Sequence, residues 1–471
     1  MKPGSASGLQ AAEKESGEVV TEPESIAQAL GEHWRRTFAH RPINEQSLSR
    51  WLDATLPRGG TGKDGKPLSD VPPSDWHVRW QDIEHAIRLP GKSAPGPDGI
   101  PYLAWKKLGR VGVDILFDVA RTLESDAGHR LLVDAYPELP GEEHDFNLGL
   151  LVCLPKKPSG HIDGGIPYYS PDHTRPLSLV NCDNRLVASA ARLRWESILD
   201  AWVSDFQQGF LPGRSMLANI IDIDLESMIV SLKHEEGALI LFDFKAAFPS
   251  VSHEFIFKSL QHIGLPESAL NLLRALYHRN KCKISVQGSV YEGFDLHSGI
   301  RQGCPLSPLI FVTVVDSLLR CLAWKIPAGV PRAYADDTAL VSQDLKRDLP
   351  VAQKIFRLFG KISGLQLNLP KTIVVPLGDA SPLAVQNWLR LHGGAWQDVA
   401  CKSWRTYLGM AIGPGKGAHS WTKALKSLSE RCALWPWSSL GLQFSARAYN
   451  VFVFSVLSFV AQLEEPPPEA C

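Results

Sequence analysis

The segment ALILFDF, residues 238–244, is an apolar run closed by Asp243, and RAYADDTALV, residues 332–341, sets a second apolar run against the adjacent Asp336 and Asp337. A short continuous apolar run bounded by polar residues reads as a strand buried on both faces. Carboxylates at the ends of such strands cannot be taken inside unpaired, because desolvating an ion costs on the order of several kcal/mol. If one sheet pairs the two strands, Asp243, Asp336 and Asp337 meet at one edge and repel one another. Such a cluster is tolerable where it holds hard cations, since Mg²⁺ takes one or two carboxylates together with substrate phosphates. Successive strand residues point to opposite faces, which predicts Asp336 facing Asp243, with Asp337 less central. Asp is also a common turn residue, and either segment alone is compatible with an ordinary strand end.

The surrounding pattern extends this frame. HEFIFKSLQHIG, 253–264, has helical spacing. Lys283–Val286 and Val290–Phe294 flank the turn Gln287-Gly288-Ser289, Leu306–Trp324 reads as a long apolar helix, and Leu349–Ile362 as another. That order predicts an α+β fold, an antiparallel sheet with helices packed on one face. Upstream, Ser25–His40 is a predicted helix between two flexible stretches, residues 1 to about 24 and Pro57–Pro73. Leu148–Leu154 and Pro176–Val180 predict a long hairpin whose tip, Pro155–His173, is mobile. Val451–Leu463 is predicted to be a buried helix, short of the roughly 20 residues that span a bilayer, so no membrane is expected.

Charge decides little, because 49 Lys and Arg face 50 Asp and Glu, so any basic groove for a polyanion must be local. Eight cysteines lie scattered, with no pair at zinc-binding spacing, which suits a reducing intracellular compartment, nucleus or cytoplasm. The N-terminal residues lack the apolar run of a secretory signal. GGTGKDGKP, 59–67, approximates a phosphate loop, but Pro67 stands where Ser or Thr is needed and no strand precedes it, so that reading is rejected.

Four segments occur in a telling order: FDFKAAFPSV (242–251), GIRQGCPLSPLIF (299–311), AYADD (333–337) and GLQLNLPKT (364–372). They resemble palm motifs A to D of reverse transcriptases. SAPGPDGIP (93–101), LPKKPS (154–159), TRPLSL (174–179) and QQGFLPGRS (207–215) are similar to fingers motifs of the non-LTR, LINE-type retrotransposon branch, and RTYLGM (405–410) resembles the primer-grip hairpin. The resemblance implies a right-hand polymerase with an N-terminal extension over 1–75, partly disordered, fingers over 76–236, a palm over 237–414, and over 415–471 the start of a helical, incomplete thumb. It implies an RNA-directed DNA polymerase using an RNA template, a DNA primer, deoxynucleotides and two Mg²⁺, with Mn²⁺ as a substitute.

Roles follow from the resemblance residue by residue. Asp243, Asp336 and Asp337 are the implied catalytic acids and metal ligands, joined by the backbone carbonyl of Phe244. Arg175 and either Lys156 or Lys157 are implied to grip the triphosphate, where a guanidinium suits paired phosphate oxygens. Gln302 and Gly303 are expected beside the new base pair, Lys371 near the leaving pyrophosphate, and Phe248 where a ribose 2′-hydroxyl would project. Arg214 is expected at nucleic acid. Arg279, Lys281 and Lys283, with Arg274 around Tyr277, form the densest basic cluster and are expected at template or primer phosphates. Among rivals, viral RNA polymerases favour a small or polar residue at the place of Phe248 and differ from RQGCPLSP. Group II intron maturases share APGPDG and AYADD, but GFLPGRS and the long fingers favour the retrotransposon branch. A telomerase subunit, or a catalytically silent RNA-binding remnant, completes the alternatives.

Overall fold

A computed structural model describes residues 8–56, 67–89, 93–128, 130–131 and 145–468. The N-terminal extension is better ordered than its composition suggests. Strands β1 (Ala12–Glu13) and β2 (Val19–Val20) pair as a hairpin, Ala12 bridges to Tyr169, and Leu9, Ala11 and Ala12 are buried. The helix Pro23–Thr37 follows, with Pro at its first turn, and buries Ile26, Leu30 and Trp34. The expected disorder is corrected for residues 8–24, because a few small apolar side chains find a cover on the neighbouring sheet. Part of the second stretch expected to be flexible, residues 57–66, and the rejected phosphate loop lie outside the described residues, whereas Leu68 beyond it is buried.

That sheet begins with β3 (Leu148–Pro155). Its long hairpin partner is reached through a small second hairpin, β4 (Gly160–Ile162) with β5 (Ile166–Tyr168), before β6 (Thr174–Val180) returns antiparallel to β3. The predicted hairpin is there, with its tip paired into strands of its own. After β7 (Ala238–Phe242) the chain forms β8 (Lys281–Val286) and β9 (Ser289–Asp295), which add to the first sheet in the order β6-β3-β8-β9. The turn is shorter than expected: Gln287 and Gly288, at φ of 51° and 87°, form a two-residue turn of the kind that matches strand twist. Residues 281–295, counted with the palm in the sequence, thus pair with the sheet of β3 and β6.

The second sheet collects β7 with β10 (Val330–Tyr334), β11 (Asp337–Ser342), β12 (Ile373–Pro376) and β13 (Ala400–Cys401), in the order β10-β11-β7-β12-β13. Only β12 and β13 run parallel. The expectation of helices on one face is corrected. Ile240, Phe242, Leu340 and Val374 join the main core with the helices Ser307–Lys325 and Leu345–Ser363. On the other face Leu239, Leu241, Ala339 and Val341 pack with Ile220 and Ile223 of the helix Met216–Lys233 and with a further hairpin, β14 (Arg405–Tyr407) and β15 (Met410–Ile412). The unbroken burial of β7 is the signature of such a sandwiched strand.

The helix Ser307–Lys325 is long and apolar enough to cross a membrane by composition, yet it runs through the core. Leu345–Ser363 starts earlier than expected, capped by Asp344 on the Arg347 amide (3.0 Å), and passes through Pro350. The buried helix expected over Val451–Leu463 is found as a π-helical turn, Tyr449–Val453, followed by two short 3₁₀ helices, Phe454–Val456 and Val460–Gln462. Val453, Leu457 and Val460 do keep helical spacing and are buried, but Val451, Phe452 and Phe454 are exposed, so one stripe is used and the remaining apolar residues face outward.

Candidate active site

Strand register brings the acids together. Thr338 of β11 lies opposite Phe242, the last residue of β7, so the next step along both strands sets Asp337 level with Asp243. Tyr334 pairs with Asp337, leaving Ala335 and Asp336 as a two-residue loop, with Ala335 at a left-handed φ of 58°. Asp336 is partly covered and Asp337 more exposed. All three carboxyls are pushed above the usual range, first by burial. The negative charge of Asp243 pushes Asp336 further while Arg175 and Lys156 oppose it. Asp336 and Asp243 together help carry Asp337 to about 6. Among the described residues no three His, Cys, Asp or Glu form a ready-made metal cage. The all-oxygen set fits a hard cation that keeps water and substrate phosphate in its remaining positions.

Residues 364–372 run beside the end of β7. The Asn368 amide donates to the Asp243 carbonyl (2.7 Å), the Lys245 amide donates to the Gln366 carbonyl (2.8 Å), and Phe244 bridges to Leu367. This strand-like contact brings the Lys371 charge to bear on Asp243, where Arg405 of β14 and Lys156 also act. Phe244 buries its ring against Phe356 and can offer a ligand only through its backbone.

The opposing cations come from the other sheet. Arg175 of β6 lies directly opposite Leu154 of β3, and Lys156 follows two residues on, so Lys156 and Arg175 share a face whereas Lys157 alternates away. The Lys156 ammonium is held below the usual lysine range by burial and by Arg175 and Lys371, with Asp172 and Asp243 opposing. Lys156 is therefore the lysine of this pair whose charge converges on the acids.

Phe248 is partly buried, stacked on Phe311 at 4.3 Å between ring centres. A left-handed Ala246, φ 43°, helps return the chain so that Phe248 stands near Asp243, and the Phe248 carbonyl accepts from the Ile300 amide (2.7 Å). The Gln302 carbonyl accepts from the Ser178 amide (2.7 Å), and its side-chain oxygen is buried without a partner. Gly303, at φ 117°, lies where a Cβ would come within 2.6 Å of the Ser178 carbonyl oxygen, so only glycine permits this approach of the loop to β6. Phe210 was not anticipated. It sits at φ 58°, half exposed, 6.4 Å from Phe248 and 6.2 Å from Tyr334 between ring centres. Arg405 was quoted in its motif without a role, since nothing in the sequence brings β14 to Asp243.

The basic cluster divides. Lys281 and Lys283 alternate with buried Cys282 and Ile284, so both lie on the sheet face that carries Leu148 and Leu150, and Arg279 precedes them at φ 47°. Arg274 is engaged by Glu267 and Asn271. Arg214 is corrected: its side chain is 6% exposed, and its guanidinium is taken up by the Asp200 carboxylate and by the carbonyls of Asp200, Val203, Ser204 and Gln207. A guanidinium saturated in this way has no donors to offer nucleic acid.

Residues 154–412 match the family model described as reverse transcriptase (RNA-dependent DNA polymerase). The chain is 27% identical over 374 residues to a transposon TX1 uncharacterized 149 kDa protein of Xenopus laevis, covering 76% of this chain and 26% of that protein. It is 30% identical over 309 residues to the retrovirus-related Pol polyprotein from type-2 retrotransposable element R2DM of Drosophila melanogaster, 64% of this chain and 26% of the relative. A Pol polyprotein from type-1 retrotransposable element R2 of Nasonia vitripennis is 26% identical over 281 residues, 57% and 24% of the two chains. The chain thus spans about a quarter of the length of these relatives.

Proposed function

Because the chain belongs to the reverse transcriptase (RNA-dependent DNA polymerase) family, we propose that it extends a DNA primer 3′-hydroxyl with deoxynucleotides along an RNA template, as the polymerase of a non-LTR retrotransposon. The observation that carries this reading is the convergence of Asp243, Asp336 and Asp337 at one sheet edge with Lys156, Arg175 and Lys371 acting on the same carboxyls. In it, residues 76–236 with the β8–β9 hairpin act as fingers, the second sheet as palm, and 415–468 as the start of a thumb.

Asp243 and Asp336, with Asp337 and the Phe244 carbonyl in support, would hold two divalent cations, Mg²⁺ or in its place Mn²⁺. Bound there, such cations supply the charge that activates a hydroxyl and stabilises a leaving pyrophosphate. Arg175 and Lys156 grip the triphosphate, the guanidinium taking paired oxygens and the ammonium acting as a point charge. Lys371 stands ready to protonate or neutralise pyrophosphate. Gln302 and Gly303 border the new base pair, and Phe248 closes the space a 2′-hydroxyl would need. Lys281, Lys283 and Arg279 meet phosphates of the template or primer.

Primer extension on RNA and DNA templates with Mg²⁺ or Mn²⁺ tests this directly. Deoxynucleotide addition templated by RNA is the expected result. RNA binding without extension in either metal would instead leave a silent RNA-binding remnant.

A further inference from the structure

Asp336 and Asp337 sit on the turn that joins β10 to β11, closed locally by the pairing of Tyr334 with Asp337. Ala335 is in the left-handed region, which disfavours a residue with a Cβ, and its neighbour Asp336 bears the carboxyl. Two groups from distant parts of the chain grip this turn from either side. On one side Gln207, fully buried, receives the Ala335 amide on its Oε1 at 2.8 Å, receives the Gly209 amide on the same oxygen at 2.9 Å, and donates its Nε2 to the Ala335 carbonyl at 3.2 Å. The segment around it lies along β10: the Gln208 amide donates to the Ala333 carbonyl (2.7 Å), and the Ala333 amide donates to the Phe206 carbonyl (2.8 Å). Gly209 approaches so closely that a Cβ there would stand 2.4 Å from the Ala335 nitrogen. Arg214 holds the Gln207 carbonyl from behind. On the other side the Tyr407 hydroxyl donates to the Asp337 carbonyl at 3.1 Å and accepts from the Asn219 Nδ2 at 2.9 Å, with Asn219 and Tyr407 both buried.

We infer that Gln207 and the Asn219–Tyr407 pair are positioning residues that hold the Ala335–Asp337 turn, and through it the two carboxylates, in the geometry the reaction needs. The inference rests on the reading of these acids as the catalytic centre. The N–H and the carbonyl of Ala335, in the two successive peptide units that flank its Cα, pair with one side chain, so the backbone leading into Asp336 is held by a residue 128 positions away. Tyr407, in the hairpin beside the primer in that reading, ties primer placement to the same turn.

The test compares Gln207→Met and Tyr407→Phe with parent protein, each also combined with Ala335→Gly, which adopts left-handed φ without a clamp. Primer extension is expected to show kcat lowered about tenfold or more for Gln207→Met and about threefold for Tyr407→Phe, with the KM for deoxynucleotide and the affinity for primer-template unchanged within about twofold. Mn²⁺ binding to the free protein, followed by electron paramagnetic resonance, should weaken in parallel. Ala335→Gly should shrink the loss caused by Gln207→Met, a non-additivity expected of groups in contact. Unchanged kcat and Mn²⁺ affinity in folded variants overturn the inference, as does a loss that simply adds to that of Ala335→Gly. If Gln207→Met does not fold, Tyr407→Phe decides by the same readouts. Asp336→Asn separates the two levels: extension that survives it removes the reading of the acids, whereas extension lost with it but untouched by Gln207→Met removes the clamp alone.

Discussion

The two sides of the site are built in opposite ways. The acids stand at the ends of strands buried from both faces, their turn gripped by Gln207 and Tyr407, and burial raises every one of the three carboxyls. Lys156, Arg175 and Lys371 are exposed, as Asp337 is, but they stand at hairpin and loop ends of separate elements, where partial burial still lowers the Lys156 ammonium. In the proposed function the difference follows from what each side would have to do. Carboxylates that direct hard cations need fixed geometry, and an interior that over-determines a strained turn supplies it. Cations that meet a triphosphate act through longer-range charge on a mobile partner, so they can remain solvated until it arrives.

The largest effect should come from the rigid side. Asp243→Asn or Asp336→Asn is expected to lower primer extension by about a thousandfold or more, since loss of a metal-ligand contact costs several kcal/mol of transition-state stabilisation, while folding and RNA binding change little. Retention of more than about a tenth of the activity would remove that residue from the centre.

The adaptable side should respond less. Arg175→Ala is expected to lower kcat/KM for deoxynucleotide by about ten- to a hundredfold without weakening the duplex complex. Lys156→Ala should cost about tenfold and Lys157→Ala less than about twofold, because only Lys156 shares the face of Arg175. Equal effects of the two lysines in nucleotide titrations would contradict that assignment, and a changed salt slope of duplex binding would move Arg175 to the template path.

The Phe248 ring stacks on Phe311 and meets Phe210 edge-on. Phe248→Val is expected to raise ribonucleotide incorporation relative to deoxynucleotide by at least about tenfold, since overpacking by a hydroxyl costs about 1–3 kcal/mol, with modest loss of normal activity. An active variant with unchanged sugar preference would make Phe248 an ordinary core ring.

The smallest effect is on stability. Asp337, raised to about 6 in the folded chain, binds protons more tightly there than an unfolded carboxyl near 3.9 does. Between those values the folded state carries more protons, so stability falls as pH rises through about 4 to 6 and stays lower above it. Without divalent cations, Asp337→Asn should therefore melt slightly higher than the parent protein at pH 7, and the gap should close toward pH 4. A parent protein that gains stability relative to the variant over that window would reverse the sign.

Much of this was legible from residues alone. Unbroken apolar runs bounded by acids announced β7 and β11, and the Gly-containing turn at 287–289 announced β8 and β9, because buried strands and tight turns are written in local sequence. Gly303 was singled out through the resemblance as a neighbour of the new base pair, while its close approach to the Ser178 carbonyl was not legible. Arg214 was misread because a guanidinium looks the same in sequence whether it meets phosphates or five acceptors of its own chain. The 451–463 segment was misread because apolar content alone cannot say which stripe finds a partner.

By itself the sequence determined the strands, the helices that follow them and the three acids, since each is encoded in local spacing and in the identity of neighbouring residues. Only the tertiary structure decided that β8 and β9 join the sheet of β3 and β6, that both faces of β7 are covered, that Lys156 rather than Lys157 turns toward Asp243, and that Gln207 reaches Ala335. Those outcomes depend on register and on contacts between residues more than a hundred positions apart in the last case, where a side chain's role is set by what packs against it and local pattern carries no record of the partner.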